Sequence, residues 1–277
     1  MEENKPAVNT SYKKSSFGPA FFFVSKRRRT ALAAYYEFCR LMDDIADEPN
    51  VKDPLKELDF WQEEVTHIFN HTPQTPLGQQ LAQAVNEFAI GKESFVQLIE
   101  GMRDDLNGKT YDTLDALNTY LYRVAEVVGL ATLDILDVPK TPARTLAENL
   151  GRAVQLTNII RDAAADAKLH RVYLPTDLLA KYGLTREYIL AGKSPQKTAQ
   201  VLAELAQLAD GYYKKAFAQM RTLPRFKMLP CRMMGCVYAK NLAKIRKSGF
   251  VVSHSVKLTK TEKLLGVCHA LYQTFFA

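Results

Sequence analysis

The sequence lacks any apolar run that could cross a membrane. No uninterrupted run in the 277 residues reaches the roughly 18 apolar residues that a spanning helix needs. The first residues, MEENKPAVNT, are acidic and polar, unlike the basic and apolar start of a secretory signal peptide. We therefore expect a cytoplasmic protein. Peripheral contact with a membrane surface is the alternative that stays open. No amphipathic anchor in the sequence decides for or against it.

Cysteine is scarce and its spacing is uninformative. The four cysteines, Cys39, Cys231, Cys236 and Cys268, include no C-x-x-C pair and have apolar neighbours. This pattern predicts buried free thiols in a reducing compartment, and it predicts neither a disulfide framework nor a zinc site.

Strand patterns and flexible linkers are missing as well. Apolar residues recur instead at three- and four-residue spacing, which predicts one all-α domain over residues 11–277 after a disordered segment at 1–10. We expect Thr141 to cap a helix that starts at Pro142, and Gly249 to follow the end of another. The predicted helices cover about 26–48, 54–69, 77–88, 92–106, 113–136, 142–168, 185–190, 195–221, 227–247 and 260–275.

The net charge of +7 favours acidic partners: nucleic acid, anionic lipid or a phosphorylated small molecule. The densest basic run is Lys26–Arg29. A solvated first turn of a helix is the simplest interpretation of this run, and contact with anionic lipid is the alternative.

Against this basic background, the stretch RLMDDIADEPN (Arg40–Asn50) concentrates carboxylates at the end of a predicted helix. Exposed carboxylates there face the negative end of the helix dipole at a cost of about 0.3 to 1 kcal/mol each. Asp43 and Asp47 lie one turn apart on one face, and Asp162 and Asp166 repeat this spacing. The spacing indicates that a cation belongs beside these groups.

Magnesium fits such pairs, because this hard ion binds through one or two carboxylates together with substrate phosphate oxygens. Two facing pairs could gather Mg²⁺ around a diphosphate, whose oxygens would be contacted by the basic side chains of Arg40, Arg161, Lys168 and Arg171. Two acidic helix faces in water are equally compatible with the spacing alone. If the diphosphate is allylic, its departure leaves a carbocation that needs a dry pocket lined by aromatic rings.

Four stretches together resemble one known family, the squalene and phytoene synthases, which join two prenyl diphosphates head to head. The resemblance extends from SSF (Ser15–Phe17) to VKLTKTEKLL (Val256–Leu265). It is carried by YEFCRLMDDIAD (Tyr36–Asp47), LIEGMRDDL (Leu98–Leu106), YLYRVAEVVG (Tyr120–Gly129) and QLTNIIRDAAADAKLHRVYLP (Gln155–Pro175). It implies a single all-α isoprenoid synthase bundle around a central cavity.

The resemblance also implies roles for individual residues. Asp43, Asp47, Asp162 and Asp166 match the family's positions for Mg²⁺ and diphosphate, and Tyr120 matches a position at the reaction centre. Ala165 departs from the family pattern, in which many members carry Glu. The implied substrate-binding positions are Ser16, Phe17, Tyr36, Arg40, Gln155, Asn158, Arg171, Tyr173 and Tyr238.

Within the family, RVAEVVG with Arg123 is most similar to the bacterial presqualene diphosphate synthases. This implies Mg²⁺-dependent condensation of two farnesyl diphosphates to presqualene diphosphate, in squalene and hopanoid biosynthesis, with no nucleic-acid partner. We expect Phe21–Phe23 to limit the depth of the cavity and so to favour farnesyl chains. A phytoene, dehydrosqualene or squalene synthase on the same scaffold stays open. A non-catalytic scaffold is disfavoured by the intact aspartates.

Overall fold

A computed structural model of the chain describes residues 23–250 and 253–276, and every regular element within these ranges is helical, which confirms the all-α prediction. The expectations for residues 1–10, Ser16, Phe17, Phe21 and Phe22 lie outside the described residues. The helices are α1 (Lys26–Asp47), α2 (Pro54–Phe69), α3 (Pro76–Phe88), α4 (Glu93–Leu106), α5 (Leu114–Leu121), α6 (Val127–Ile135), α7 (Lys140–Lys168), α8 (Thr176–Lys181), α9 (Arg186–Leu190), α10 (Pro195–Met220), α11 (Leu229–Lys247) and α12 (Lys260–Phe275).

Most helix ends fall within two residues of the predicted ones. The start of α7 is also within two residues of the predicted one, but the helix begins at Lys140 after Pro139, so the prediction of a cap at Thr141 is wrong. Gly249, with φ of +72°, follows α11 as predicted, since glycine adopts this left-handed conformation without strain. The short helix α8 was not predicted.

The predicted helix 113–136 is interrupted by a π-helical turn, Tyr122–Glu126, between α5 and α6. The backbone N–H of Val127 donates to the carbonyl of Tyr122, five residues earlier. A π-helical turn places one extra residue in a helix and often occurs at a functional site. It therefore changes the rotational register between α5 and α6.

The apolar core has two parts with the π-helical turn between them. One part surrounds α7 with residues of α5, α10 and α11 and the segment 172–174. The other surrounds α1 with residues of α2, α3, α4 and α6. Packing on both sides fixes the ends of α1, α4 and α7 relative to one another, and these are the helices that carry the acidic motifs.

Two glycines allow α4 and α7 to approach the π-helical turn. A Cβ atom at Gly101 would lie 2.5 Å from Val124 Cγ1, and one at Gly151 would lie 3.0 Å from the backbone N and Cα of Glu126. Backbone atoms cannot move aside as a flexible side chain can. The approach is reinforced by Arg152, whose Nε donates to Glu126 Oε1 over 2.7 Å.

The cysteine prediction holds in part. All four thiols are free; Cys231 and Cys236 are buried and Cys39 is half-buried. Cys268 is exposed, and the expectation that it is buried is wrong, because it lies on the outward face of α12. Across the described ranges, no helix combines the length and apolar character required to cross a bilayer.

Replacing Gly151 by Ala tests the close approach of α7. We expect Gly151→Ala to lower the free energy of unfolding by about 1 to 3 kcal/mol, because the added methyl group meets the backbone of Glu126. The matched control is Gly211→Ala in α10, where an added Cβ meets no atom within 4 Å. That change should be neutral or raise stability by up to about 1 kcal/mol, since alanine favours helix. Urea unfolding of both variants measures the difference, and equal stabilities would contradict the packing argument.

Candidate active site

The acidic motif of α1 lies at the C-terminal end of that helix. Asp43 is exposed and Asp47 lies one turn further on, at the last residue of the helix. Arg40 pairs with Asp44 over 2.6 Å, one turn away on the same helix. The predicted substrate-binding Arg40 is therefore held beside the motif by a carboxylate that belongs to neither predicted metal pair.

The chain reverses after α7 and brings the second acidic motif to the first. His170 adopts a left-handed conformation with φ of 58°, and the Arg171 backbone N–H donates to the Asp166 carbonyl over 2.9 Å. This turn directs the Arg171 guanidinium to α1, where it binds the Asp47 carboxylate and donates to the Ala46 carbonyl over 2.8 Å. Arg171 thus binds the Asp47 carboxylate of the first pair through its side chain and the Asp166 carbonyl of the second through its backbone N–H.

Asp105, at the end of α4, was missed by the sequence analysis. Tyr120 donates its hydroxyl proton to Asp105 Oδ2 over 3.0 Å, and Tyr173 donates to Asp105 Oδ1 over 2.7 Å. The rings of Tyr120 and Tyr173 stack with centroids 4.9 Å apart. The only sequence signal was the Asp104–Asp105 doublet in LIEGMRDDL, in which Asp105 itself has no carboxylate partner one turn away.

The pKa values of three carboxylates are raised from the ordinary 3.8. The pKa of Asp43 reaches about 7, because surrounding protein limits hydration of the partly open carboxylate and Asp47 adds negative charge. The pKa of Asp166 reaches about 8, through desolvation and then the charge of Asp162. Desolvation raises the pKa of Asp105 to about 6, against the lowering effect of the Tyr173 hydrogen bond. Desolvation is therefore the first cause of all three raised pKa values, and neighbouring aspartates add to it.

Asp162 belongs to the same site and has a different set of partners. The guanidinium of its neighbour Arg161 binds both carboxylate oxygens, and Ser255 Oγ donates to Oδ1 over 2.8 Å. Arg161 also hydrogen-bonds Tyr238, whose pKa is raised by burial. Tyr36 is half-buried and near enough to Tyr238 to affect its pKa. Tyr36 and Tyr238 thus lie beside the second acidic motif.

The remaining predicted residues on α7 lie towards the interior. Asn158 Nδ2 donates to Gln155 Oε1 over 3.2 Å. Asn158 Oδ1 and the Tyr111 hydroxyl are buried and have no hydrogen-bond partner within the described residues. Unpaired buried polar atoms are uncommon in folded proteins and are often explained by a bound molecule. Lys168, also predicted to contact diphosphate, is exposed at the end of α7.

The structure therefore brings most of the predicted site residues together. Arg171 binds Asp47 of α1 and lies close enough to Asp166 of α7 to lower its pKa, and Tyr120 and Tyr173 bind Asp105 beside them. Beside Asp166, Arg171 and Tyr173 is a void of about 10 Å³ whose other walls are apolar, among them Ile159 and Val172. Within residues 23–250 and 253–276, no three acidic, histidine or cysteine side chains are arranged closely enough to hold a metal ion. The position of each predicted residue that the structure describes is compatible with its expected role, which remains a prediction.

The chain is similar to known proteins over nearly its whole length. Residues 11–262 match the squalene/phytoene synthase family. Phytoene synthase 2 of tomato (Solanum lycopersicum) is 34% identical over 266 residues, which cover 93% of this chain and 86% of the relative. The presqualene diphosphate synthase of Rhodopseudomonas palustris is 32% identical over 253 residues, which cover 90% of each.

Solved structures agree with the fold. Squalene synthase HpnC from Alicyclobacillus acidocaldarius superposes with a TM-score of 0.79 at 26% identity, covering 88% of this chain and 92% of that one. A dehydrosqualene synthase in complex with a ligand gives a TM-score of 0.82 at 25% identity, covering 94% and 92%. The fold is the all-α isoprenoid synthase fold, and the chain belongs to the squalene/phytoene synthase family.

Proposed function

We propose that this protein condenses two farnesyl diphosphates head to head into presqualene diphosphate, with Mg²⁺, as a step of squalene and hopanoid biosynthesis. The observation that carries the proposal is that Arg171, in the turn that follows the α7 pair, binds Asp47 of the α1 pair and brings Asp166 within electrostatic reach of Asp47. Two acidic helix faces in water would have no reason to lie within electrostatic reach of each other. The intact pairs likewise disfavour a non-catalytic scaffold.

The residues at this place fit a divalent metal. Members of the family use a divalent metal to ionise prenyl diphosphates. After desolvation, the charge of a neighbouring aspartate raises the pKa of Asp43 and of Asp166 more than the nearest arginine lowers it. Carboxylate oxygens are the hard ligands that Mg²⁺ prefers, so Asp43, Asp47, Asp162 and Asp166 would hold it. When bound, the metal neutralises diphosphate charge and so makes diphosphate a good leaving group.

The chain's own residues bind and shield the reacting groups. Arg171 and Arg161 already lie against the aspartates and can donate charge-assisted hydrogen bonds to diphosphate oxygens. The stacked rings of Tyr120 and Tyr173 form a largely water-free wall, whose electron-rich faces stabilise positive charge on a prenyl chain. Asp105 fixes both hydroxyl groups, which keeps these rings in place.

Presqualene diphosphate as the product is supported by the R. palustris relative, whose match covers 90% of this chain and 90% of its own length. Arg123, the residue that suggested this product, is fixed by Asp104 through a 2.6 Å ion pair at the π-helical turn. Phytoene formation from C20 substrates is the second candidate, because the tomato phytoene synthase is similar over an equal length. Phe23, one of the residues expected to limit chain length, is half exposed.

Removing one carboxylate from each pair tests the site. Asp43→Asn and Asp162→Asn should each lower kcat by roughly 100-fold or more while the protein stays helical, because a metal ligand is lost at similar side-chain volume. Asp59→Asn is the matched control, since Asp59 is exposed and pairs with Arg103 on the surface of α2. Activity with farnesyl diphosphate and circular dichroism are the measurements. Near wild-type turnover in both variants, or full activity in EDTA, would contradict the assignment.

The raised pKa values predict how stability depends on pH. Asp43, Asp105 and Asp166 bind protons more tightly in the folded chain than their ordinary value of 3.8 implies. Their contribution to the free energy of unfolding therefore falls as pH rises from about 4 to about 8. We expect the melting temperature of the metal-free protein to fall between about pH 6 and pH 8.5, and to fall less in Asp166→Asn.

Adding Mg²⁺ with inorganic pyrophosphate should reduce this fall in the wild type, because bound cations favour the ionised carboxylates. Asp59→Asn should keep the wild-type pH dependence. If the melting temperature of Asp166→Asn falls with pH as steeply as that of the wild type, Asp166 does not titrate in this pH range.

The product assay separates the candidate reactions. Purified protein given farnesyl diphosphate and Mg²⁺ without NADPH should accumulate a C30 diphosphate, because release after the first ionisation leaves the second diphosphate intact. Mass spectrometry with and without NADPH, and kcat/KM for C15 against C20 substrates, are the measurements. Dehydrosqualene without NADPH, squalene only with NADPH, or a preference for C20 would each exclude presqualene diphosphate as the product. No product from either substrate would favour the scaffold.

A further inference from the structure

Charge is divided very unevenly along this chain. Residues 211–277 contain 13 Lys and Arg and a single carboxylate, Glu262, which gives +12. Because the whole chain carries +7, residues 1–210 carry 7 − 12 = −5. The basic character of the protein therefore belongs entirely to its last quarter.

The helix that ends this quarter is apolar on two opposite faces. The inward face of α12 is made of small residues, Gly266, Ala270 and Thr274, which are buried against the bundle. At Gly266 an added Cβ would lie 3.1 Å from Val237 Cγ2 of α11, so the two helices are in close contact. The outward face carries the large side chains. A helix apolar on both faces is normally covered on both faces.

The outward face joins a neighbouring loop to form one apolar surface. The ring of Phe226, in the turn before α11, meets the ring of Phe275 with centroids 5.6 Å apart, and Tyr272 meets Phe276 at the same distance. Exposed fractions run from 50% at Phe275 to 79% at Phe276. We call this surface the C-terminal patch, and it comprises Phe226, Leu264, Leu265, Tyr272, Phe275 and Phe276.

Basic side chains border the C-terminal patch. Arg225 precedes Phe226, and Lys240 lines a pocket together with Leu265. Neither of these two forms a salt bridge within the described ranges. Arg232 donates to the Gln273 carbonyl of α12 over 2.8 Å, and its pKa is lowered by desolvation and by the charges of Arg221 and Arg225. The border of the patch therefore has a real excess of positive charge.

Three occupants could cover such a surface, and charge distinguishes them. A second copy of the chain would bring two +12 segments together in a symmetric contact, which like-charge repulsion disfavours. The first 22 residues hold two acidic and three basic side chains, and so offer no net negative charge. An anionic lipid surface supplies both negative headgroups for the basic border and an apolar interior for the aromatic rings.

We propose that the C-terminal patch is a membrane-binding surface that inserts its aromatic side chains among anionic lipids. The basic run at the start of α1 is a weaker candidate for this contact, because Arg27 pairs with Glu87 and Arg28 with Asp137. Binding requires no turnover and no metal. Its failure would therefore leave the proposed reaction untouched.

Vesicle co-sedimentation tests the proposal directly. The wild type should bind vesicles of mixed phosphatidylglycerol and phosphatidylcholine about tenfold or more tightly than vesicles of phosphatidylcholine alone, and salt should weaken the binding. The double variant Phe275→Ser/Phe276→Ser should lose about tenfold or more in affinity. Arg225→Gln should lose roughly fivefold. Phe60→Ser, an exposed aromatic on α2, should bind as the wild type does.

The natural cysteine on this helix gives a readout that needs no variant. Cys268 is exposed on the outward face of α12. Its reaction with a water-soluble maleimide should slow by about tenfold or more when anionic vesicles are added, and should not change with neutral ones. The other thiols are buried or half-buried, and peptide mass mapping identifies the labelled residue.

The results that would overturn the proposal are distinct from one another. Equal binding to neutral and anionic vesicles, unchanged Cys268 labelling, or wild-type binding by the Phe275→Ser/Phe276→Ser variant would each exclude an anionic membrane surface. Light scattering at several protein concentrations tests the second copy. A dimer that the double variant abolishes would assign the patch to self-association instead.

Discussion

Five carboxylates at the C-terminal ends of three helices are the constraint that organises this molecule. Asp43 and Asp47 end α1, Asp105 lies near the end of α4, and Asp162 with Asp166 lies in the last turns of α7. Each end also carries the negative pole of its helix dipole. Such a cluster is costly to maintain, because desolvation raises the pKa values of Asp43, Asp105 and Asp166 and the charges of neighbouring carboxylates raise them further. A fold that maintains it must be stabilised elsewhere.

That stabilisation comes from the packing around α7 and from the segment that follows it. The backbone N–H groups of Thr176 and Asp177 donate to the carbonyls of Tyr111 and Asp112, over 2.9 and 3.1 Å. These bonds hold the segment from Arg171 to Tyr173 beside α1 and α4. One arginine and one tyrosine, two residues apart, thereby contact carboxylates on two different helices. The site depends on this segment as much as on the aspartates themselves.

The sequence was sufficient to predict candidate site residues where carboxylates recur at helical spacing. It was insufficient where a residue joins the site only through tertiary contacts. Asp43 with Asp47 and Asp162 with Asp166 were recognisable because each pair recurs after four residues on one face. Asp105 has no such partner, and its role follows only from two tyrosines that are distant in sequence. The outward face of α12 was missed because periodicity distinguishes apolar from polar residues, whereas this helix differs between its faces in side-chain size.

The π-helical turn makes the length of this segment critical. Successive residues of an α-helix are rotated by 100°, and the extra residue at Tyr122–Glu126 therefore offsets α5 from α6 by about that angle. Because of the offset, Tyr120 faces Asp105 while Val127 and Ala131 face the core around α1. Loss of one residue here would restore a regular α-helix. Either Tyr120 would then turn away from Asp105, or Val127 and Ala131 would turn away from the core around α1. Insertions and deletions should thus be far less tolerated between α5 and α6 than substitutions, even at positions with no catalytic contact.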